Sequence, residues 1–160
     1  MPRVPVLVVV FACALTSLTR ATDKKDEKTD ELKLTADEEA VVELTNAERK
    51  KADLPPLKVN AKLMLAARGH AANMAKQEKV EHVLDEKDPV ARAKAAGYKS
   101  EFVGENIAWN QKDAKAVLAE WMDSKDHREN ILEKEYTEIG VAMAKNSKGE
   151  PYWVQVFGKP

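Results

Sequence analysis

The last quarter of the chain holds two β-rich runs separated by a turn. Tyr136 to Ala144 alternates, with Ile139, Val141 and Met143 on one side, and Tyr152 to Phe157 is dense in β-branched and aromatic residues. Between them, "KNSKGEP" supplies the Asn, Gly and Pro that reverse a chain. The two runs are expected to pair as an antiparallel hairpin. A hairpin alone is marginal in water, so other elements must cover it. A third short strand is expected at Phe102 to Trp109.

The covering elements are helical. Thr35 and Glu38 form a capping box, and the helix behind them places Ala40, Val41, Leu44 and Ala47 on one face, ending before Pro55-Pro56. "LKVN" reads as a short extended piece, and Asn60 caps a second helix with Leu63, Ala67, His70, Ala71 and Met74 on one stripe. Asp88-Pro89 opens a third helix that Gly97 closes. Asp113 caps a fourth, with Ala114, Val117, Leu118 and Trp121 inward. About four helices and a closing hairpin predict an α+β domain, its helices packed on a small, mainly antiparallel sheet.

The first residues read differently. In "MPRVPVLVVVFACALTSLTRA", Arg3 precedes a short apolar run that gives way to small residues. This is the layout of a secretory signal over residues 1–21, and the run is shorter than the roughly 20 apolar residues of a membrane span. The expected protein is therefore secreted, extracellular or periplasmic, without a stable transmembrane segment once the signal is cleaved; retention as an anchor is the alternative. Cys13, the single cysteine, lies inside this segment, so the exported part must be held by its core rather than by disulfides. "TDKKDEKTDELK", residues 22–33, is nearly all charge and reads as a solvated linker. The domain proper is expected over 34–160, as a monomer. A formal net charge of -1, with both signs well mixed, gives no basic field for nucleic acid.

Three histidines carry the candidate chemistry: His70, His82 and His127. His70 sits on the apolar stripe of the second helix, where a core histidine is the commoner occupant. His82 follows that helix, and His127 lies in "WMDSKDHRENIL". No HExxH, paired CxxC or EF-hand spacing is present. Ser124 and His127 stand three apart, but no GxSxG surrounds the serine, and such a hydroxyl more often caps a helix end. Arg128 is expected to pair with a carboxylate, and Asn130 to bond backbone at a turn.

Four stretches in order, "LTNAERKKADLPPLKVNAKLMLAARGHAANMAKQEKVEH", "GENIAW", "WMDSKDHRENILEKEYTEIGVAMA" and "YWVQVFG", resemble the CAP superfamily. This family is also called the SCP domain, after cysteine-rich secretory, antigen 5 and plant pathogenesis-related proteins. The likeness is to its bacterial, cysteine-free branch. It implies an α-β-α sandwich and a cleft lined by two histidines and two glutamates, which binds a divalent metal, often zinc, in some members. Carried over by position, His82, Glu105, His127 and Ser124 are the expected lining of the ligand-binding cleft, the first three are the expected metal residues, and Ser124 stands where the second glutamate would be. Two imidazoles and one carboxylate suit Zn2+ or another divalent ion with an open position; without metal, Glu105 is expected to orient a histidine. The implied function is a non-catalytic extracellular binding module for a metal or small ligand. The alternatives are a peptidase-like hydrolase using His127 and Glu105, with Ser124 or a metal, and a binder of lipid or a cell-envelope component.

Overall fold

The computed structural model describes residues 32–160. The expected signal at 1–21, and all but the end of the expected linker at 22–33, lie outside the described residues. Nine elements follow in order: α1 (Ala36–Lys51), β1 (Lys58–Val59), α2 (Ala61–Gln77), α3 (Pro89–Ala95), β2 (Val103–Trp109), α4 (Ala114–Asp123), α5 (Lys125–Leu132), β3 (Glu138–Lys145) and β4 (Pro151–Gly158).

Local chemistry sets most helix starts. Thr35 Oγ1 accepts from the Glu38 amide while Glu38 reaches back to the Thr35 amide, a reciprocal cap that satisfies two otherwise orphaned donors. Asn60, Asp88 and Asp113 accept from the first-turn amides of α2, α3 and α4. Beyond α3, Gly97 takes φ +88°, a left-handed conformation that glycine adopts without strain.

The strands form one sheet in the order β1-β3-β4-β2. β3 and β4 make the expected hairpin, running from Glu138↔Gly158 to Lys145↔Pro151, and β2 lies antiparallel to β4 from Val103↔Gly158 to Trp109↔Tyr152. Among the described residues, only the two-residue β1 is parallel to its neighbour. Because side chains alternate across a strand, the sheet has two apolar faces and two cores. One gathers Val41, Val117, Trp121 and Ile131 from α1, α4 and α5 against Val141, Trp153 and Phe157. The other gathers Leu63, Ala67, Ala71, Met74 and Ala93 from α2 and α3 against Ala142, Val154 and Val156. The result is a helix-sheet-helix sandwich. Gly140 permits the closest approach: a Cβ there would lie 2.1 Å from the Leu63 carbonyl carbon.

Two details differ from the sequence expectation. Among the described residues five helices form where about four were expected, because the charged stretch after Ser124 is a helix in its own right. On α1 the buried residues are Glu38, Val41, Thr45 and Arg49, whereas Ala47 is exposed and Ala40 and Leu44 are half-buried. The inner face carries polar groups whose partners are remote. Arg49, fully buried, donates to the carbonyls of Pro55, Ile131, Glu133 and Tyr136 at 2.9 to 3.2 Å. Among the described residues, no helix is long and apolar enough to cross a membrane.

Candidate functional site

β2 is an edge strand, and its two central side chains point into different layers. Glu105 faces α2 and α3, while Asn106 faces α1, α4 and α5. Glu105 is almost completely enclosed, its side chain 1% exposed. Its Oε1 accepts from His82 Nδ1 at 2.9 Å, and its Oε2 accepts from an Arg92 terminal nitrogen at 2.6 Å. An ionised carboxylate only accepts, so Nδ1 of His82 must carry the proton, leaving Nε2 with its lone pair when the ring is neutral. His82 lies in the loop after α2, and its side chain is 51% exposed.

Arg92, one turn into α3, does more than pair with Glu105. Its second terminal nitrogen donates to the carbonyls of His82 at 2.9 Å and Lys87 at 2.6 Å. One guanidinium thus fixes both the carboxylate and the loop that carries its histidine partner. His70 also approaches the carboxylate: Nε2 lies 3.8 Å from Oε1, beyond hydrogen-bond range. Its ring is fully buried, and neither nitrogen has a hydrogen-bond partner among the described residues. Burial lowers the His70 pKa against the opposing pull of Glu105, with the Arg92 charge adding to the lowering. It is as buried as its stripe implied, yet it borders the site.

The other wall comes from α5. Ser124 ends α4 and starts α5 in extended backbone, φ -78° and ψ 127°. Its hydroxyl makes no capping bond, nor any hydrogen bond to His127 among the described residues. His127 is half-buried, and its pKa is lowered by burial first and then by the charge of His82; Glu120 and Asp126 act in the opposite sense. Among the described residues, its ring makes no hydrogen bond to His82 or Glu105. Its position is set through the backbone: Asn106 Nδ2 donates to the His127 carbonyl at 3.0 Å and to Gln155 Oε1 at 3.2 Å. Asn130 Nδ2 donates to Asn106 Oδ1 at 2.9 Å and to the Glu105 carbonyl at 3.2 Å. Gln155 in turn donates to Thr45 on α1 at 2.7 Å. This amide chain clamps α5 against β2.

Arg128 acts differently from its sequence expectation, whereas Asn130 bonds backbone as expected, at the Glu105 carbonyl, but from within a helix. Arg128 donates to the carbonyls of Met122 and Asp123 at the end of α4, rather than pairing with a carboxylate. Asn130 sits within a helix, not a turn. The structure therefore joins His82 to Glu105, sets His127 nearby on a separate layer, and leaves Ser124 at the helix junction. Sequence reasoning missed Arg92, which reads as ordinary helix-surface charge; "HVLDEKDPVAR" gives no local sign of its partners. A separate cavity of about 500 Å³ opens between α2 and α3, lined by Leu65, Gly69, His70, Leu84, Arg92 and Ala96 among others. It shares His70 and Arg92 with this cluster, but His82 and His127 do not line it.

A trio of His82, Glu105 and His127 as metal ligands can be tested against these contacts. Both Glu105 oxygens are engaged, one of them by a cation. Among the described residues, no group of three His, Cys, Asp or Glu side chains stands close enough to hold a metal ion. As arranged, Glu105 stands behind His82 Nδ1, and the trio does not fit a three-ligand centre.

The chain resembles known proteins over this same region. It is 37% identical over 125 residues to YkwD of Bacillus subtilis, a match covering 78% of this chain and 48% of YkwD. The structure superposes with a TM-score of 0.70 on an extracellular protein of Bacillus anthracis containing an SCP domain, at 26% identity, covering 78% of this chain and 40% of that one. It superposes with a TM-score of 0.71 on an outer surface protein of Borrelia burgdorferi, at 21% identity, covering 76% of this chain and 90% of that one. The chain thus spans about half the length of YkwD, and less of the anthracis protein. The family pattern described as "CAP: Cysteine-rich secretory protein family" matches residues 42–157. With the helix-sheet-helix sandwich and the order of its motifs, this places the chain in the cysteine-rich secretory protein, or CAP, family.

Proposed function

We propose that this protein is an exported, non-catalytic binding module whose ligand is held by the imidazoles of His82 and His127 at the β2 edge. The observation that carries this reading is the bond from His82 Nδ1 to the buried Glu105 carboxylate. A carboxylate behind an imidazole fixes ring orientation and tautomer, and turns the other nitrogen outward as a lone-pair donor. That nitrogen suits a ligand hydrogen-bond donor or a divalent metal ion. A bound zinc ion would supply a Lewis-acidic centre with open positions. With two imidazoles, fewer than the three protein ligands of most open zinc sites, it is expected to bind weakly, and more weakly as pH falls and the rings protonate. Binding rather than turnover is favoured by Ser124, whose hydroxyl is not bonded to His127.

Isothermal calorimetry with zinc, and histidine NMR with a panel of small polar compounds, test this on the wild type and on a His82→Ala/His127→Ala double variant. The reading expects heats or shifts that the double variant loses. Equal binding by both proteins would remove these histidines from the site. Histidine-dependent cleavage in a peptide and ester screen would replace the binding reading with a hydrolase.

A further inference from the structure

We propose that the cavity between α2 and α3 is a second ligand site, which takes a compact uncharged molecule with an apolar body and one carbonyl or hydroxyl oxygen. It goes beyond the His82/His127 reading and does not rest on it, since neither of those histidines lines the cavity.

Three observations carry it. The first is size and lining. The cavity holds about 500 Å³, within the roughly 300–1,000 Å³ of small-molecule sites. Its walls include Leu65 from α2, Leu84 from the following loop, Ala95 from α3 and Ala96 just beyond it. Leu65 lines the cavity and is 62% exposed, a large apolar side chain that a ligand body would cover. The second is Gly69, which stands in mid-α2 on the cavity wall, where glycine disfavours a helix relative to alanine. No close packing requires it, because a Cβ there would meet nothing within 4 Å. Its effect is a stretch of wall without a side chain, which leaves room in the cavity. The third is a pair of unpartnered polar groups. His70 is fully buried, and neither ring nitrogen has a hydrogen-bond partner among the described residues. The Arg92 side chain is 10% exposed and uses its terminal nitrogens on Glu105 and the loop carbonyls; its buried Nε has no partner among the described residues. Both residues line the cavity. Native folds partner nearly all buried polar atoms, so two unpartnered groups beside one cavity mark where a ligand atom completes the wall.

The chemistry of the two groups defines that atom. Arg92 Nε–H can only donate. Burial lowers the His70 pKa, so near neutral pH the ring offers one N–H and one lone pair. A carbonyl or hydroxyl oxygen accepts from both N–H groups. Charge of either sign is disfavoured: Arg92 is already paired with Glu105, so an enclosed anion would lack a counter-charge, and a cation would face the guanidinium.

Methyl NMR titrations of the full chain with benzamide, cyclohexanol, toluene and benzoate test this. Benzamide and cyclohexanol should shift the Leu65 and Leu84 methyls saturably. Benzamide should bind about tenfold more tightly than toluene, which lacks the oxygen, or benzoate, which carries a charge; that factor is the worth of a hydrogen bond to a charged donor. Gly69→Leu, which puts a side chain into the cavity, should abolish binding of every probe while circular dichroism shows the helices intact. A folded Gly69→Leu that still binds benzamide overturns the proposal. If Gly69→Leu does not fold, the wild type alone decides. No saturable shift at Leu65 and Leu84, as for a cavity that holds only water, overturns the proposal, and so does toluene or benzoate binding as tightly as benzamide. Shifts centred on His82 and His127 instead would place the probe in the other site and count equally against it.

Discussion

Asn106→Ala should both destabilise the protein and loosen one wall of the site. Asn106 is fully buried and makes three hydrogen bonds through one amide: to the His127 carbonyl, to Gln155 Oε1 and from Asn130 Nδ2. Truncation leaves Gln155 Oε1 without its donor, while the His127 carbonyl, inside α5, loses one bond but keeps the amide of Ile131 in its own helix. Asn130 loses less, since it still donates to the Glu105 carbonyl. An orphaned buried polar group costs about 1–3 kcal/mol and a lost hydrogen bond about 1 kcal/mol, so the variant loses about 2–4 kcal/mol. Against a typical domain stability of about 5–15 kcal/mol this is severe, but in most of that range the variant still folds. Urea denaturation reads the loss as a lower midpoint with an unchanged slope. Adding Gln155→Leu removes the orphaned partner, so the double variant should cost less than the sum of the singles, by about 1 kcal/mol or more. The His127 ring resonances should broaden as its helix loses its clamp. If Asn106→Ala stays within about 0.5 kcal/mol of wild type, as a surface change would, the amide chain does not hold α5.

Further expectations concern packing and acid stability. Gly140→Ala forces a Cβ to 2.1 Å from the Leu63 backbone and should cost about 3 kcal/mol or more by thermal or urea unfolding, because α2 cannot back away without leaving β3. Gly69→Ala, whose Cβ would meet nothing within 4 Å in mid-helix, should instead stabilise by up to about 1 kcal/mol. The His70 pKa is lowered in the folded state from its ordinary 6.5, so the unfolded chain takes up its proton first as pH falls. Stability is then complete above that ordinary value and is lost as pH falls through the lowered one. His70→Leu should flatten this acid limb in urea midpoints measured across it, and an unchanged pH slope would show that the buried ring is not its source.

The parts of this fold that can be read from sequence are those fixed by neighbours in the chain. The caps at Thr35, Asn60, Asp88 and Asp113 form as expected, because each bonds an amide two or three residues away. The hairpin also forms, since turn chemistry and alternation both lie within one short stretch. The inner face of α1 differs from expectation because Thr45 and Arg49 look solvated until Gln155 and the Ile131–Tyr136 carbonyls arrive from far along the chain. α5 escapes a sequence reading because "KDHRENIL" carries little apolar signal and its N-terminus has no side-chain cap. In the site, the pairing of Glu105 with a histidine is expected from the resemblance. Arg92 is not, because a guanidinium on a short helix gives no local sign of a carboxylate thirteen residues away.

The protonation state of the His82 ring tests the central claim most directly. In a long-range 1H–15N spectrum recorded above the histidine titration range, the account predicts a proton on Nδ1 and a bare Nε2, reversing toward the Nε2–H form in Glu105→Leu. A wild-type His82 that carries its proton on Nε2 would contradict it: Glu105 would then not be holding the ring, and the outward lone pair on which the binding site depends would not exist.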